Sequence, residues 1–212
     1  MKLIHPSFKI TSYPKNILEN IENAARTCYK SEDKICEGSA AKIVEMLLNK
    51  KHLAMIEFGG TITIKLKIDR SMSHELVRHR LASFAQESQR YIKYNTDIEF
   101  IYPKEVSDSS NISFYDFCKT LEIIEKTYHS MLKKGISPQN ARGILPNCTA
   151  TEINIQANIR EWLHILELHC SKRVYPPLRK IMLQVLESFY HKTPVIFDKL
   201  YYIYTDDIIK NL

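Results

Sequence analysis

The sequence predicts an α+β fold, in which helices accompany an antiparallel β-sheet. Two segments alternate between apolar and polar residues, "TITIKLKID" at 61–69 and "TATEINIQAN" at 149–158. Such alternation is typical of a strand with one buried face. Helical patterns separate and flank the two strands, and they do not form βαβ units, which favours an antiparallel sheet.

Apolar residues at helical spacing predict the helices. They cover residues 16–29, 39–50 and 111–134, and three more begin near Arg160, Pro177 and Pro194. Gly135 is expected to end the helix at 111–134. Ser137 and Pro138 then open another helix as N-cap and first residue, and Pro146 ends it.

A short helix is expected directly after the first of these strands. Asp69 is suited to be its N-cap, and the helix is predicted to run to about residue 80. Glu75, Arg78 and His79 would then share one face. The polar segment that follows, up to residue 94, predicts an ordered loop.

Length and composition fit a single globular domain that spans residues 1–212. Hydrophobic residues make up 44% and charged residues 25%, which is too apolar for a disordered chain. No apolar run approaches the roughly 20 residues of a membrane helix, and the N-terminus "MKLIHPSFKI" has no signal-peptide core. We expect a cytoplasmic protein without a membrane partner.

Cysteine count and net charge narrow the function classes. The five cysteines are an odd number and show no CxxC or Cys/His ligand spacing, so neither disulfides nor structural zinc are expected. A net charge of +6 fits anionic small molecules or nucleic acid. Nucleic acid is the weaker choice, because the charge is not gathered in a basic tail and no nucleic-acid-binding signature appears.

The segment "RHRLASFAQESQRY" at 78–91 concentrates cationic and polar side chains. In an extended chain, Gln86, Ser88 and Arg90 would face one side, and Glu87 and Gln89 the other. A Ser hydroxyl beside an Arg guanidinium suits a phosphate monoester. The pattern predicts an anion site, and a solvated charged surface is the alternative.

The order Arg78-His79-Arg80, seven residues, Ser88 resembles the signature of the flavin-dependent thymidylate synthases. Five further blocks agree with this family in order and spacing. They are "AARTCY" at 24–29, "HLAMIEF" at 52–58, "SHELVRHR" at 73–80, "ARGILP" at 141–146 and "ANIREWLHILELHCSK" at 157–172. The match spans most of the chain.

The resemblance implies a homotetramer built on a sheet wrapped by helices, with FAD held between subunits. The reaction would transfer a methylene group from methylenetetrahydrofolate to dUMP. NADPH would reduce the flavin, and the flavin would deliver the hydride. Such chemistry rests mainly on the cofactor and needs no cysteine nucleophile.

The resemblance also implies roles for individual residues. The cofactor-binding set is His52, Ala54, Arg78, His79, Arg80, Gln86, Asn158, Arg160 and His164, of which the last three would come from another subunit. The substrate-binding set is Glu75, Arg78, Gln86, Glu87, Ser88, Gln89, Arg90, Arg142 and His169. Arg78 and His169 are the implied catalytic residues, and no metal is implied.

Structural roles are the alternatives for several of these residues. Arg142 could form a surface ion pair. Asn158 could be a helix N-cap, and Arg160 could lie in the exposed first turn of that helix. His169 could be a satisfied structural residue, in which case Arg173 would be the cation near the base.

Three positions depart from the family pattern. His169 stands where the family usually has an Arg that contacts the pyrimidine and favours its ionised form, Phe58 replaces a frequent His, and Ala85 replaces a frequent Asn or Ser. Because an unperturbed imidazole has a pKa near 6.5, we expect turnover to vary with pH around that value, with protonated His169 the more active form.

The departure at His169 leaves the substrate open. UMP or dCMP are alternatives to dUMP, since the base contact differs from the family pattern. A flavin- or nucleotide-binding protein without catalysis is an alternative from another class. A nucleic-acid-binding module is a third, whose affinity would fall steeply with salt.

Overall fold

The structure, a computed structural model, describes residues 1–102 and 112–209. It is a mixture of helices and antiparallel sheet, which confirms the predicted fold class. Its strands are β1 (Lys2–Ile4), β2 (Ser7–Ser12), β3 (Thr61–Asp69), β4 (Ser83–Gln86), β5 (Glu99–Ile101) and β6 (Ala150–Asn158). Four of them form a sheet in the order β2-β3-β6-β4, and β1 pairs in parallel with β5.

Eight α-helices lie in the described parts of the chain. They are α1 (Ile17–Tyr29), α2 (Ser39–Asn49), α3 (Arg70–Leu76), α4 (Ile112–Lys133), α5 (Pro138–Ala141), α6 (Ile159–His169), α7 (Pro176–Lys192) and α8 (Pro194–Ile209). Short 3₁₀ helices cover Glu32–Lys34, Leu53–Gly59 and Arg142–Ile144. None of the helices described has the length and apolar composition that crossing a bilayer requires.

The two strands with strict alternation are confirmed. In β3, Ile62, Ile64, Leu66 and Ile68 are fully buried and alternate with more exposed residues. The strands β1, β2, β4 and β5 were not predicted, and β4 lies inside the segment predicted to be a loop. These strands have at most six residues, so their alternation is too short to stand out.

Helix boundaries agree with the predictions to within a few residues, with two exceptions. Helix α3 ends at Leu76, so Arg78 and His79 follow the helix and do not share a helical face with Glu75. The chain at the end of this helix has the narrower 3₁₀ geometry, because Arg78 N donates to the carbonyl of Glu75, three residues earlier. Helix α5 has only four residues, and the predicted start of α4 at Asn111 lies outside the described residues.

The chain divides into two compact units. Unit 1 comprises Met1–Ser7, Leu66–Arg78 and Phe84–Asn154, and unit 2 comprises Phe8–Lys65, His79–Ser83 and Ile155–Leu212. In unit 1, a cluster of buried apolar side chains includes Phe100 and Tyr128. The prediction of a single domain stays a prediction.

The core of unit 2 is built around Trp162 on α6. Its ring is fully buried, and its Nε1 donates to Ile62 O at 3.0 Å. The Phe189 ring meets it edge-on, with 5.2 Å between centroids. Gly59 allows the 3₁₀ helix Leu53–Gly59 to approach α1 and α6, because an added Cβ would lie 3.0 Å from the Ile159 side chain.

The N-cap of α3 is confirmed and generates a stability prediction. Asp69 is buried, and its Oδ1 accepts from Met72 N at 2.7 Å. Asp69→Ala is expected to lower the free energy of unfolding by about 1–2 kcal/mol, because the buried Met72 N–H loses its acceptor. Asp69→Asn keeps an acceptor and is expected to lose less in urea denaturation. Equal stability of the two variants would contradict this role.

Candidate functional site

The middle residue of the Arg78-His79-Arg80 motif is buried, whereas both arginines are exposed. His79 Nε2 lies 2.8 Å from His169 Nε2, and His79 Nδ1 lies 3.3 Å from Glu161 Oε1. Both partners belong to α6. The ring nitrogens of His79 are therefore committed to contacts inside unit 2.

Burial sets the charge of the two histidines. Burial, with smaller contributions from His79 and His164, lowers the pKa of His169 to about 4. Burial also lowers the pKa of His79, which Glu161 opposes and His164 reinforces. Both imidazoles are consequently neutral at pH 7, where a bare nitrogen can accept a hydrogen bond.

The expected titration of His169 near pH 6.5 is wrong, because the sequence did not show how deeply this side chain is buried. His169 retains only 7% of its accessible surface. One ring nitrogen bonds to His79, and the other, Nδ1, is buried without a partner among the described residues. His169 does not supply a positive charge at neutral pH.

Helix α6 begins with two of the predicted cofactor residues. Asn158 Oδ1 accepts from Glu161 N at 2.8 Å, so the side chain caps the helix. Arg160 is exposed, and its Nη1 bonds to Glu57 Oε1 at 2.8 Å. The structural alternatives for both residues are thus realised, although the Asn158 amide nitrogen remains available for a ligand.

The other predicted cofactor residues of unit 2 are accessible. His52, Ala54, Arg80 and His164 are exposed. The His164 ring lies edge-on to His79, with 5.6 Å between centroids. Arg80 forms no ion pair with the described part of the chain, so its guanidinium is available for an anion.

In unit 1, two predicted substrate residues lie at the end of α3. Glu75 and Arg78 are exposed, and partial burial together with nearby Asp69 raises the pKa of the Glu75 carboxyl. Arg78 has no carboxylate partner within residues 1–102 and 112–209. It is a second cation whose charge is not neutralised.

The chain from Gln86 to Arg90 is extended only in its first half. Gln86 Nε2 donates to Ser73 Oγ at 2.9 Å, which holds the amide inside unit 1. A turn follows, because Tyr91 N donates to Ser88 O at 3.2 Å and Arg90 N to Ser88 Oγ at 3.4 Å. The predicted alternation of side chains therefore fails after Ser88.

Arg90 and Arg142 are the remaining cations predicted near the substrate. Arg90 Nε donates to Gln139 Oε1 at 2.9 Å. Arg142 begins the 3₁₀ helix Arg142–Ile144 and is half-buried. No carboxylate in the described chain pairs with Arg142, so the surface ion pair considered for it is not formed there.

Glu87 is held by internal contacts. Its Oε1 accepts from Tyr94 OH at 2.7 Å, and its Oε2 accepts from Glu152 N at 3.3 Å. Burial and this contact raise the pKa of Tyr94, which keeps the phenol protonated as a donor. Gln89 is buried, and its Nε2 has no partner among the described residues.

A cavity of about 650 Å³ opens in unit 1 beside Glu87 and Tyr94. Most of its lining is charged, and it includes Lys2, Lys67 and Glu99. Both lysines form ion pairs with Glu99. Part of the charge that lines the cavity is therefore neutralised by ion pairs between the lining residues.

The cysteines are free, and the more buried ones are poorly suited to act as nucleophiles. All five lie in the described residues and none is paired. Burial raises the pKa of Cys148 to about 11 and that of Cys170 to about 12. Among the residues described, His, Cys, Asp and Glu form no group of three or more that could hold a metal ion.

Comparison with known proteins assigns the family. Residues 9–195 match the family model described as "Thymidylate synthase complementing protein". The chain belongs to this family. The family predicted from the sequence motifs is therefore confirmed.

Several relatives share the family. A flavin-dependent thymidylate synthase of Corynebacterium aurimucosum is 30% identical over 195 residues, covering 84% of this chain and 78% of that protein. One of Pyrococcus abyssi is 30% identical over 189 residues, with 84% and 77% covered. The crystal structure of the UMP/dUMP methylase PolB from Streptomyces cacaoi, bound with 5-Br dUMP, has a TM-score of 0.80 at 20% identity. It covers 93% of this chain and 96% of its own, which shows the same fold.

Glu161 is a residue of the candidate site that the sequence motifs did not predict. The sequence offered one signal, since Asn158 and Glu161 have the spacing of a helix capping box. In such a box the Glu reaches back to the N-cap N–H. Here its carboxylate is directed to His79 instead, a contact that no local pattern predicts.

The buried histidines generate a prediction for stability in acid. Because the pKa of His169 is about 4 in the folded chain and about 6.5 when unfolded, the unfolded chain binds protons that the folded chain does not. The free energy of unfolding is expected to fall as the pH drops from about 6.5 to about 4.

His169→Gln is the variant that tests this. It removes the titrating group. The slope of the unfolding free energy against pH is therefore expected to decrease, by an amount that corresponds to at most about one bound proton. Denaturant titrations between pH 4 and 7 would measure it, and His191→Gln controls for the loss of an exposed imidazole. Identical slopes for wild type and His169→Gln would show that His169 does not cause the effect.

Proposed function

We propose that the chain is a flavin-dependent thymidylate synthase that converts dUMP to dTMP. The carbon donor is methylenetetrahydrofolate, and FAD reduced by NADPH is the hydride donor. The family match and the names of the relatives bear out the predicted family and activity. The supporting observation in the structure is that Arg78 and Arg80, on either side of buried His79, are exposed without carboxylate partners in the described chain.

The nucleotide is assigned to unit 1. A phosphate monoester needs cations and hydrogen-bond donors, and Arg78, Arg90 and Arg142 supply guanidinium groups. The Ser88 hydroxyl oxygen accepts from Arg90 N, which leaves its hydrogen free to donate to a phosphate oxygen. Glu75, Gln86 and Gln89 remain in the proposed substrate set of unit 1. His169 belongs to unit 2 and stays a separate prediction, with a neutral ring. The internal contacts of Glu87 make it a support for this segment.

The flavin is assigned to residues of unit 2, whose donors fit an anionic cofactor. Arg80 is unpaired within the described chain, and His52 and His164 expose imidazoles. Asn158 keeps its amide NH₂ free of the capping bond. Arg160 and its partner Glu57 are each more than 40% exposed, so this pair is weak and an incoming phosphate can compete for it.

The protein residues bind and orient, while the flavin supplies hydride transfer when bound. Arg78 is the proposed catalytic cation, because a guanidinium stays charged at every pH at which the enzyme is folded. His169 cannot stabilise an anionic base at pH 7 in the way that a guanidinium would. Exposed Arg173 is a further candidate for that charge.

UMP is the second substrate to test. The fold neighbour PolB is a UMP/dUMP methylase, which shows that this fold can carry a methylase acting on either nucleotide. The departure from the family at His169 concerns a position near the base. dCMP remains a third substrate for comparison.

We further propose a homotetramer located in the cytoplasm. Phe58, Leu81 and Leu168 of unit 2 are large apolar residues that are 57%, 75% and 47% exposed in the single chain. Such exposure supports association with other subunits. Five unpaired thiols fit a reducing compartment.

The decisive test is a spectrum followed by turnover. The purified protein is expected to take up FAD, show oxidised-flavin absorption and lose it on adding NADPH. It should then form dTMP from dUMP and methylenetetrahydrofolate. A protein that binds no added FAD, or that bleaches without forming a methylated nucleotide from dUMP, UMP or dCMP, would contradict the proposal.

Arginine variants test the assigned roles. Arg78→Ala and Arg80→Ala are each expected to weaken binding by about 10- to 100-fold, since a charge-assisted hydrogen bond contributes about 1.5–3 kcal/mol. Arg80→Ala should affect FAD, and Arg78→Ala should affect dUMP, in equilibrium titrations. Lys180→Ala removes an exposed cation on α7 as the matched control. Wild-type affinity in a folded variant would remove that arginine from its site.

A further inference from the structure

Three side chains form a continuous buried chain in unit 2. Glu161 Oε1 lies 3.3 Å from His79 Nδ1, and His79 Nε2 lies 2.8 Å from His169 Nε2. Glu161, His79 and His169 are each at least 92% buried. Their protons therefore have few alternative partners.

The carboxylate of Glu161 determines which ring nitrogens of His79 and His169 carry protons. An ionised carboxylate only accepts, so His79 must carry its proton on Nδ1 to bond to Glu161. Neutral His79 then has a bare Nε2, which accepts from the Nε2–H of His169. His169 is left with a bare Nδ1, the buried atom that has no partner among the described residues.

His79 also begins a tight turn. Ala82 N donates to His79 O at 3.2 Å, and Arg80 and Leu81 lie between them. Leu81 is 75% exposed, and Arg80 is exposed without an ion pair in the part of the chain described. The His79 side chain is thus the buried attachment of an otherwise solvent-facing turn.

We propose that Glu161 is a positioning residue for Arg80. By accepting from His79 Nδ1–H, Glu161 selects one of two possible proton arrangements of the His79–His169 pair, and so holds the turn that presents Arg80 to an anion. The anion is the diphosphate of the flavin, and this part rests on the proposed function. Glu161 itself touches neither cofactor nor substrate in this role.

A carboxylate suits this role better than an amide would. Gln at the same place could accept from His79 or donate to it, which would permit both proton arrangements. The buried carboxylate contacts the imidazole of His79, which is neutral at pH 7, and burial of this carboxylate costs free energy unless the hydrogen bond is made. The groups that face the His79–His169 pair are Glu161 and His164, both on α6.

The first experiment reads the protons directly. In ¹⁵N spectra at pH 7.5, the neutral ring of His79 is expected to be protonated on Nδ1 and that of His169 on Nε2. His79→Gln and His169→Gln assign the signals. Glu161→Gln and Glu161→Ala should each give a mixture of the two arrangements. A wild-type His79 protonated on Nε2, or tautomers unchanged in both variants, would overturn the proposal.

The second experiment tests whether Glu161 acts through Arg80. FAD is titrated into wild type, Glu161→Ala, Arg80→Ala and the double variant. Glu161→Ala is expected to weaken binding by about 10-fold, and the double variant should bind no more weakly than Arg80→Ala alone. Glu167→Ala, which removes an exposed carboxylate of α6, is the control. The proposal is overturned if the losses of FAD affinity in the two single variants multiply in the double variant. It is also overturned if Glu161→Ala binds FAD as tightly as wild type. If Glu161→Ala does not fold, Glu161→Gln replaces it and is expected to show a smaller loss of the same kind.

Hydrogen exchange separates this inference from the proposed function. If wild type binds no FAD, the proposed function fails, whereas the anchoring of the turn is still measured at the Ala82 amide. Glu161→Ala, or Glu161→Gln if the alanine variant does not fold, is expected to speed exchange of this amide severalfold relative to Glu167→Ala. An unchanged exchange rate would overturn the anchoring by Glu161.

Discussion

The carboxylate of Glu161 is a buried group that can only accept hydrogen bonds, and this restriction governs the two histidines buried beside it. It determines which nitrogen of His79 carries the proton, and through His79 it determines the proton of His169. The same helix places its N-cap three residues earlier, where Asn158 satisfies Glu161 N. The first turn of α6 thus provides an acceptor for one of its own backbone N–H groups and also orients the turn that begins at His79.

In the motif at residues 78–80, one buried neutral histidine lies between two exposed charged arginines. Burying His79 costs little charge solvation, because its imidazole is neutral at pH 7. Arg78 and Arg80 keep their hydration and have no carboxylate partner in the described chain. A guanidinium that is already paired must give up a partner to bind a phosphate, whereas these two need only release water. The alternation therefore provides anion-binding groups on a fixed backbone.

The sequence predicted what depends on local patterns and missed what depends on distant contacts. Strict alternation identified β3 and β6, and capping rules predicted Asp69 as an N-cap and gave the same role as the alternative for Asn158. Short strands such as β4 have too few residues to show a period. The link between Glu161 and His79 joins positions far apart in the sequence. Neither the lowered pKa of His169 nor the internal role of Glu87 could be predicted before the burial of these side chains was known.

The departure from the family pattern at His169 has two separable consequences. In the proposed proton arrangement the Nε2–H of His169 donates to His79, a hydrogen bond that needs a donor at this position but no charge. The permanent charge of an Arg is absent, because burial keeps the imidazole of His169 neutral at pH 7. Any positive charge that a bound base needs at neutral pH must then come from a residue other than His169, and a guanidinium is charged at that pH. Since Arg78, Arg80 and Arg142 lack carboxylate partners in the described chain, this protein retains cations that can do so without a histidine that titrates.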